Sequence, residues 1–180
     1  MARLLALTRD GATALAFLVF VALIAAKLND RPDIQGAFRA ADGDSLTLDG
    51  ERMRLKGVDA PELSQRCERA GQDWPCGIMA QRALQQLVSE DGTQCGGSER
   101  DRYGRLLVSC RNHAGDINAR MVASGMAVAY GGYQQEEGQA KAQKLGLWAG
   151  RFEMPRDVRD QARHQSFGLQ RLIGEWTGWE

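Results

Sequence analysis

Apolar residues run without a polar face through residues 12–26, and beyond residue 33 they break into short segments separated by turns. Residues 34–40 form one strand-like run, closed by Asp42-Gly43. Ser45 to Leu48 alternates polar and apolar, and Asp49-Gly50 is a strong hairpin signal. Residues 52–56 alternate again, with Met53 and Leu55 on one face and Arg52, Arg54 and Lys56 on the other. Residues 58–76 read as a loop. Ile78, Leu84, Leu87 and Val88, with Ala80 and Ala83 between them, have helical spacing over 77–88. Two further strands, at 93–95 and 106–110, flank a polar connection holding Arg100 to Arg105. A helix at 117–124 stops at Gly125, a strand covers 126–130, and a polar helix covers 134–147. Five short strands with a helix after the third predict an α+β fold, mainly β with packed helices. The topology expected is a five-stranded OB-type Greek-key barrel, preceded by an N-terminal hydrophobic helix.

The terminal run changes the picture of where this domain works. Arg3 and Arg9 precede it and Lys27 ends it. Fifteen apolar residues suit the core of a signal peptide and are short for a spanning helix, which needs about 20. A cleaved signal and a retained N-terminal anchor are both compatible with residues 1–32. Either exports residues 33–180 to the periplasmic or extracellular side, with a tether to the inner membrane if 12–26 is retained. The four cysteines agree with export. No C-x-x-C pair is present, which disfavours a zinc cage. An even count in an exported chain reads as two disulfides. Three connectivities are open, of which Cys67–Cys76 with Cys95–Cys110 is favoured. The 23 basic and 23 acidic residues cancel. That argues against a protein that coats nucleic acid and suits one that grips a phosphate locally. The tail, 151–180, reads as a helical extension, with Val158, Ala162, Phe167, Leu169, Leu172, Ile173 and Trp176 as its apolar positions. A surface helix is the plain reading, and a membrane-surface contact is the alternative.

Three short stretches carry the chemistry: Asp42-Gly43-Asp44-Ser45, then Arg54 with Val58-Asp59-Ala60-Pro61-Glu62, then Asp101-Arg102-Tyr103-Gly104-Arg105. Each alone is ordinary turn or surface sequence. Together, in this order, they resemble the staphylococcal nuclease (thermonuclease) family. Residues 118–127 (NARMVASGMA) and 140–148 (AKAQKLGLW) extend the similarity, which covers roughly residues 34–150. The resemblance implies an OB barrel with helices packed on it.

It also implies roles. Asp44 and Asp59 resemble the family's calcium carboxylates, and the backbone carbonyl of Ala60 falls where another ligand is expected. Calcium takes hard oxygen ligands and tolerates several waters. Glu62 resembles the residue that positions, and deprotonates, the attacking water. Arg54 and Arg105 resemble the pair that clamps the phosphate, a task for planar, permanently charged guanidiniums. Tyr103 and Tyr130 match positions near the substrate, where a ring can stack on a base. The connection after Tyr130 is shorter than in the staphylococcal enzyme, Ser45 replaces the commoner threonine, and the segment after Glu62 carries the Cys67 and Cys76 pair instead. His113 and His164 match no site and read as surface residues. The function implied is that of an exported, calcium-dependent endonuclease. It would act as a monomer on DNA and RNA with little sequence specificity and a preference for single strands. Two other readings are a non-catalytic nucleic-acid-binding module on the same fold and a membrane-tethered interaction protein that docks through its tail.

Overall fold

The computed structural model describes residues 15–22, 24 and 33–164. It divides into two compact units, Met1–Pro32 and Asp33–Glu180. In the first, residues 15–22 and 24 are helical, with Leu15, Phe17, Leu18 and Phe20 exposed. Among the described residues no helix is long and apolar enough to cross a membrane. Arg3, Arg9 and the linker to Pro32 lie outside the described residues, as do Phe167, Leu169, Leu172, Ile173 and Trp176 of the tail.

The second unit is built on a sheet with the strand order β1-β8-β9-β4-β3-β2. These are β1 (Ile34–Gln35), β2 (Arg39–Ala40), β3 (Ser45–Leu48), β4 (Glu51–Leu55), β8 (Gln94–Arg100) and β9 (Leu106–Asn112). A short strand, β10 (Gly115–Asp116), adds to β9. The β3–β4 hairpin forms at the predicted turn, where Asp49 and Gly50 both take positive φ. Strand β4 pairs antiparallel with β3 and parallel with β9, matching Met53 to Leu106 and Leu55 to Val108. Met53, Leu55 and Val108 are fully buried, as the alternation required, and Arg54 is left on the opposite face. Outside this sheet, β5 (Val58–Asp59) pairs with β11 (Val128–Ala129), and β6 (Cys67–Arg69) with β7 (Gln72–Trp74).

The α+β architecture is as expected, and its strand inventory is corrected. The hydrogen-bonded path among the described residues is open rather than a closed five-stranded barrel. Its end strands β1 and β2 have two residues each and pair with β8 and β3, not with each other. The stretch 58–76 contains β5 and the β6–β7 hairpin, which leave the main sheet. Strand β8 is longer than its apolar start implied. Pairing with β9 carries it through Gly96-Gly97-Ser98 to Arg100, with a register shift between Gly96 and Glu99.

Helix α1 (Cys76–Val88) buries Cys76, Gly77, Ala80, Leu84 and Val88, while Ile78 faces outward. Gln85 accepts from the Ala40 N–H at 2.9 Å and Gln81 donates to the Ala40 carbonyl at 3.0 Å, pinning α1 to β2. Helix α2 (Ile117–Ala123) starts at Asp116, whose side chain accepts from the Ala119 N–H at 2.9 Å. Helix α3 (Gln134–Ala142) is shorter than predicted. Lys144 takes a left-handed φ of 52°, and a 3-10 turn, Gly146–Ala149, follows. A fourth helix, α4, covers residues 155–164 and begins at the buried Pro155.

Both disulfides form with the favoured pairing. Cys95–Cys110 joins directly opposed residues of β8 and β9. Cys67–Cys76 ties the β6–β7 hairpin to the start of α1. Asn118, fully buried, accepts from the Cys110 N–H at 3.1 Å and donates to the carbonyls of Lys56 (2.9 Å) and Val108 (3.1 Å). It thereby locks the end of β4 to β9 and α2 at the edge of the site.

Candidate active site

The residues singled out by sequence converge on one cleft of about 1390 Å³, lined by Asp44, Arg54, Glu62, Tyr103, Arg105 and Tyr130 among others. Asp59 lies directly beneath it, 2% exposed. Each reaches the cleft through a local device. Asp44 ends the Asp42-Gly43 turn, where the Asp42 carboxylate accepts from the Asp44 N–H at 2.9 Å. That turn sits hard against the core. A Cβ on Gly43 would lie 2.6 Å from the Ala60 Cβ and 2.7 Å from the Ala80 Cβ, so three small residues set the spacing between turn, β5 and α1. Asp59 is fixed by the β5–β11 ladder opposite Val128. Ala60 donates its N–H to the Asp44 carboxylate at 3.1 Å, which joins the two acidic segments.

Glu62 lies on a turn pressed against the first turn of α1. A Cβ on Gly77 would stand 1.9 Å from the Glu62 carbonyl oxygen, closer than any side chain permits. The Gln65 side chain accepts from the Glu62 N–H at 3.2 Å and donates to the Glu153 carbonyl at 2.8 Å. Asp101 organises the Arg102-Tyr103-Gly104 turn. Its carboxylate accepts from the N–H groups of Tyr103 (2.9 Å) and Arg105 (3.0 Å) and from the Arg105 guanidinium (2.8 Å). Arg105 is thereby aimed at the Ser45 hydroxyl, 3.3 Å away. Burial pushes the Asp101 carboxyl up, but the Arg105 guanidinium and the two N–H groups outweigh it and hold it below its usual value. Tyr103 and Tyr130 stand on the rim, each 57% exposed. His113 and His164 are exposed and away from this set.

At the floor, Arg54 bridges the two buried carboxylates. It reaches Asp44 with both terminal nitrogens at 2.9 Å and Asp59 at 2.7 Å. Burial pushes the Asp44 carboxyl up to about 7, and Arg54 only partly offsets this; Asp42 and Asp59 add to the rise. Asp44 is therefore readily charged only towards neutral pH and above. The clustered carboxylate oxygens are hard donors that suit a divalent cation. Among the described residues no three His, Cys, Asp or Glu side chains form a closed cage. A cation at Asp44 and Asp59 would keep waters or substrate oxygens in its shell.

One site residue lies outside the set read from sequence. Arg159, on α4, donates to both carboxylate oxygens of Asp59 at 2.7 and 2.9 Å and to Glu62 at 3.0 Å. Burial lowers its pKa, but Asp59 and Glu62 outweigh this and keep it charged. The tail was read through its apolar positions. The available signal was Arg156, Arg159 and Arg163, spaced three and four apart on one helical face.

Comparison with known proteins agrees with this arrangement. The sequence model of the family described as staphylococcal nuclease homologue matches residues 52–150, more than half of the chain. Asp44 lies just before the matched segment. The succinoglycan biosynthesis protein ExoI of Rhizobium meliloti is 37% identical over 123 residues, 64% of each chain. An uncharacterized endonuclease of Haemophilus influenzae is 32% identical over 122 residues, 62% of this chain and 64% of that one. A probable endonuclease, LCL3, of Verticillium alfalfae is 32% identical over 137 residues, 64% of this chain and 47% of its own length. The chain thus spans less than two thirds of each of these relatives. With more than half of its length matched and the acidic and arginine residues gathered in one cleft, the chain belongs to the staphylococcal nuclease homologue family.

Proposed function

We propose that this chain is an exported, calcium-dependent endonuclease that hydrolyses phosphodiester bonds of DNA and RNA with little sequence specificity. The observation that carries the reading is the gathering of Asp44, Asp59 and Glu62 with Arg54 and Arg105 around a single open cleft. Two of the named relatives carry endonuclease in their names. Calcium would be held by Asp44, Asp59 and the carbonyl of Ala60, and when bound would offset charge on the phosphate.

The protein's own groups supply the rest. Glu62 has a carboxylate at the cleft, 39% exposed, able to orient a water and take its proton. The water oxygen attacks phosphorus as its proton passes to Glu62, and the bond to the 5′ oxygen breaks while that oxygen takes up a proton from solvent, leaving a 5′-hydroxyl and a 3′-phosphate. Arg105 presents its guanidinium beside Ser45, and Arg54 presents its own from β4. Preorganised donors of this kind are commonly worth about 3 kcal/mol of barrier each. Tyr103 and Tyr130 offer ring faces on the rim, where an unpaired base can stack, favouring single strands. Residues 12–26 direct the chain out of the cytoplasm, as cleaved signal or as anchor.

The test uses the full-length, oxidised chain with denatured DNA and with RNA, in calcium or in EGTA, beside Glu62→Gln. Cleavage that requires calcium and falls by at least about 100-fold in the variant is expected, the loss of a positioned base. Tight binding without cleavage, in calcium and in other divalent metals, would instead support the non-catalytic nucleic-acid-binding module.

A further inference from the structure

Helix α4 brings a fixed positive charge onto the carboxylates that the proposed reaction needs. Arg159 takes both oxygens of Asp59 with one nitrogen and reaches Glu62 with another. Arg54 holds Asp59 from the other side. The Arg159 nitrogen stands 2.7 and 2.9 Å from the two Asp59 oxygens. Calcium binds carboxylate oxygens at about 2.3–2.6 Å, within the same shell. The Arg159 nitrogen contacts both Asp59 oxygens, the place a bidentate metal ion would take, whereas Arg54 contacts Oδ1, so a metal ion seated there and Arg159 exclude one another.

The segment carrying Arg159 is independently fastened. Glu68 and Arg151 exchange backbone hydrogen bonds of 2.8 and 2.9 Å, and Gln65 donates to the Glu153 carbonyl at 2.8 Å. Glu68 lies on β6, next to the Cys67–Cys76 disulfide. This anchor holds residues 151 and 153, so loss of the Arg159 contacts would loosen α4 while its start stays tied to β6.

We propose that Arg159 is a tethered cation that seats on Asp59 and Glu62 in the metal-free protein and must be displaced by the divalent ion, so that α4 sets the cation concentration at which the site fills. This rests on the reading of Asp59 as a cation ligand. The tail is then a built-in competitor for the metal, and one Glu62 oxygen is engaged by Arg159 until the metal arrives.

Calcium binding to the full-length, oxidised protein, measured by calorimetry without nucleic acid, tests it. Arg159→Ala is expected to bind calcium about tenfold more tightly than wild type. Arg156→Ala, on the same helix but with its side chain 63% exposed, is expected to leave the affinity unchanged. In wild type, amide exchange over residues 155–164 is expected to speed up when calcium is added. Equal or weaker calcium binding by Arg159→Ala overturns the proposal, and so does exchange in α4 that is unchanged or slowed by calcium. A nuclease assay on the same samples separates the two ideas. Tighter binding by Arg159→Ala with no cleavage by any sample keeps the tethered cation and removes the nuclease. Calcium-dependent cleavage with unaltered affinity does the reverse.

Discussion

Asp44 is 3% exposed and shares its surroundings with Asp42 and Asp59 as well as Arg54. Its carboxyl ionises near 3.8 in a free chain and near 7 in the fold. An ionised Asp44 therefore opposes folding. The stability associated with this group is fully present below pH 3.8, is lost as pH rises through 7, and is constant beyond. In chelator, Asp44→Asn should raise the melting temperature at pH 8 and raise it less at pH 5; an equal gain at both values would contradict this account. The same substitution should abolish activity, which places Asp44 among residues held for function at a cost in stability. At this scale the sequence pointed to Asp44, Arg54, Asp59 and Glu62 through the family resemblance of its three stretches taken together; strand alternation by itself placed only Arg54 on the polar face. The basic face holding Arg159 was legible, and its pairing with Asp59 was not. Its partner Asp59 is 100 residues away, and hydrophobic spacing in a tail carries no information about a charge pair at that distance.

Elements that follow one strong local rule were readable, and those made by tertiary pairing were not. The β3–β4 hairpin has Asp49-Gly50 and clean alternation, and α1 has helical apolar spacing. The β6–β7 hairpin turns at Ala70-Gly71, both with positive φ, and its three-residue strands lack alternation, so nothing local marks it. Strand β8 crosses two glycines because β9 pairs with Gly96 before a register shift and with Glu99 and Arg100 after it. Helix α1 reaches the site through Gly77. Alanine in a helix gains up to about 1 kcal/mol over glycine. A Cβ there meets the Glu62 carbonyl at 1.9 Å and the Leu63 carbonyl at 2.7 Å, backbone atoms that cannot rotate aside. Overpacking of this kind costs about 3 kcal/mol and should win. Gly77→Ala should thus lower stability in denaturant titration and reduce kcat by moving Glu62. A stabilised variant with full activity would show that the turn yields.

Taken as one molecule, the second unit has a main core shared by the sheet, α1 and α2, and a smaller cluster of Cys67, Cys76, Val128 and Leu147 under the β6–β7 hairpin. Each disulfide serves one of them. Cys95–Cys110 lies in the main core, and its separation of 15 residues corresponds to about 3 kcal/mol in the chain-entropy model. Replacing both cysteines by alanine should lower unfolding free energy by about that amount while leaving the cleft intact. A loss of cleavage without a loss of stability would contradict this assignment. The reach of Arg159 also has a consequence in time. Chains are made from the N-terminus at about 5–20 residues per second, and domains fold as they emerge. Asp59 and Glu62 are synthesised 100 and 97 residues ahead of Arg159. A chain that ends near residue 150 carries Asp59, Glu62 and Arg54 without the second guanidinium, Arg159. The covered site is the later one, because its second guanidinium is made about 100 residues after the carboxylates it covers.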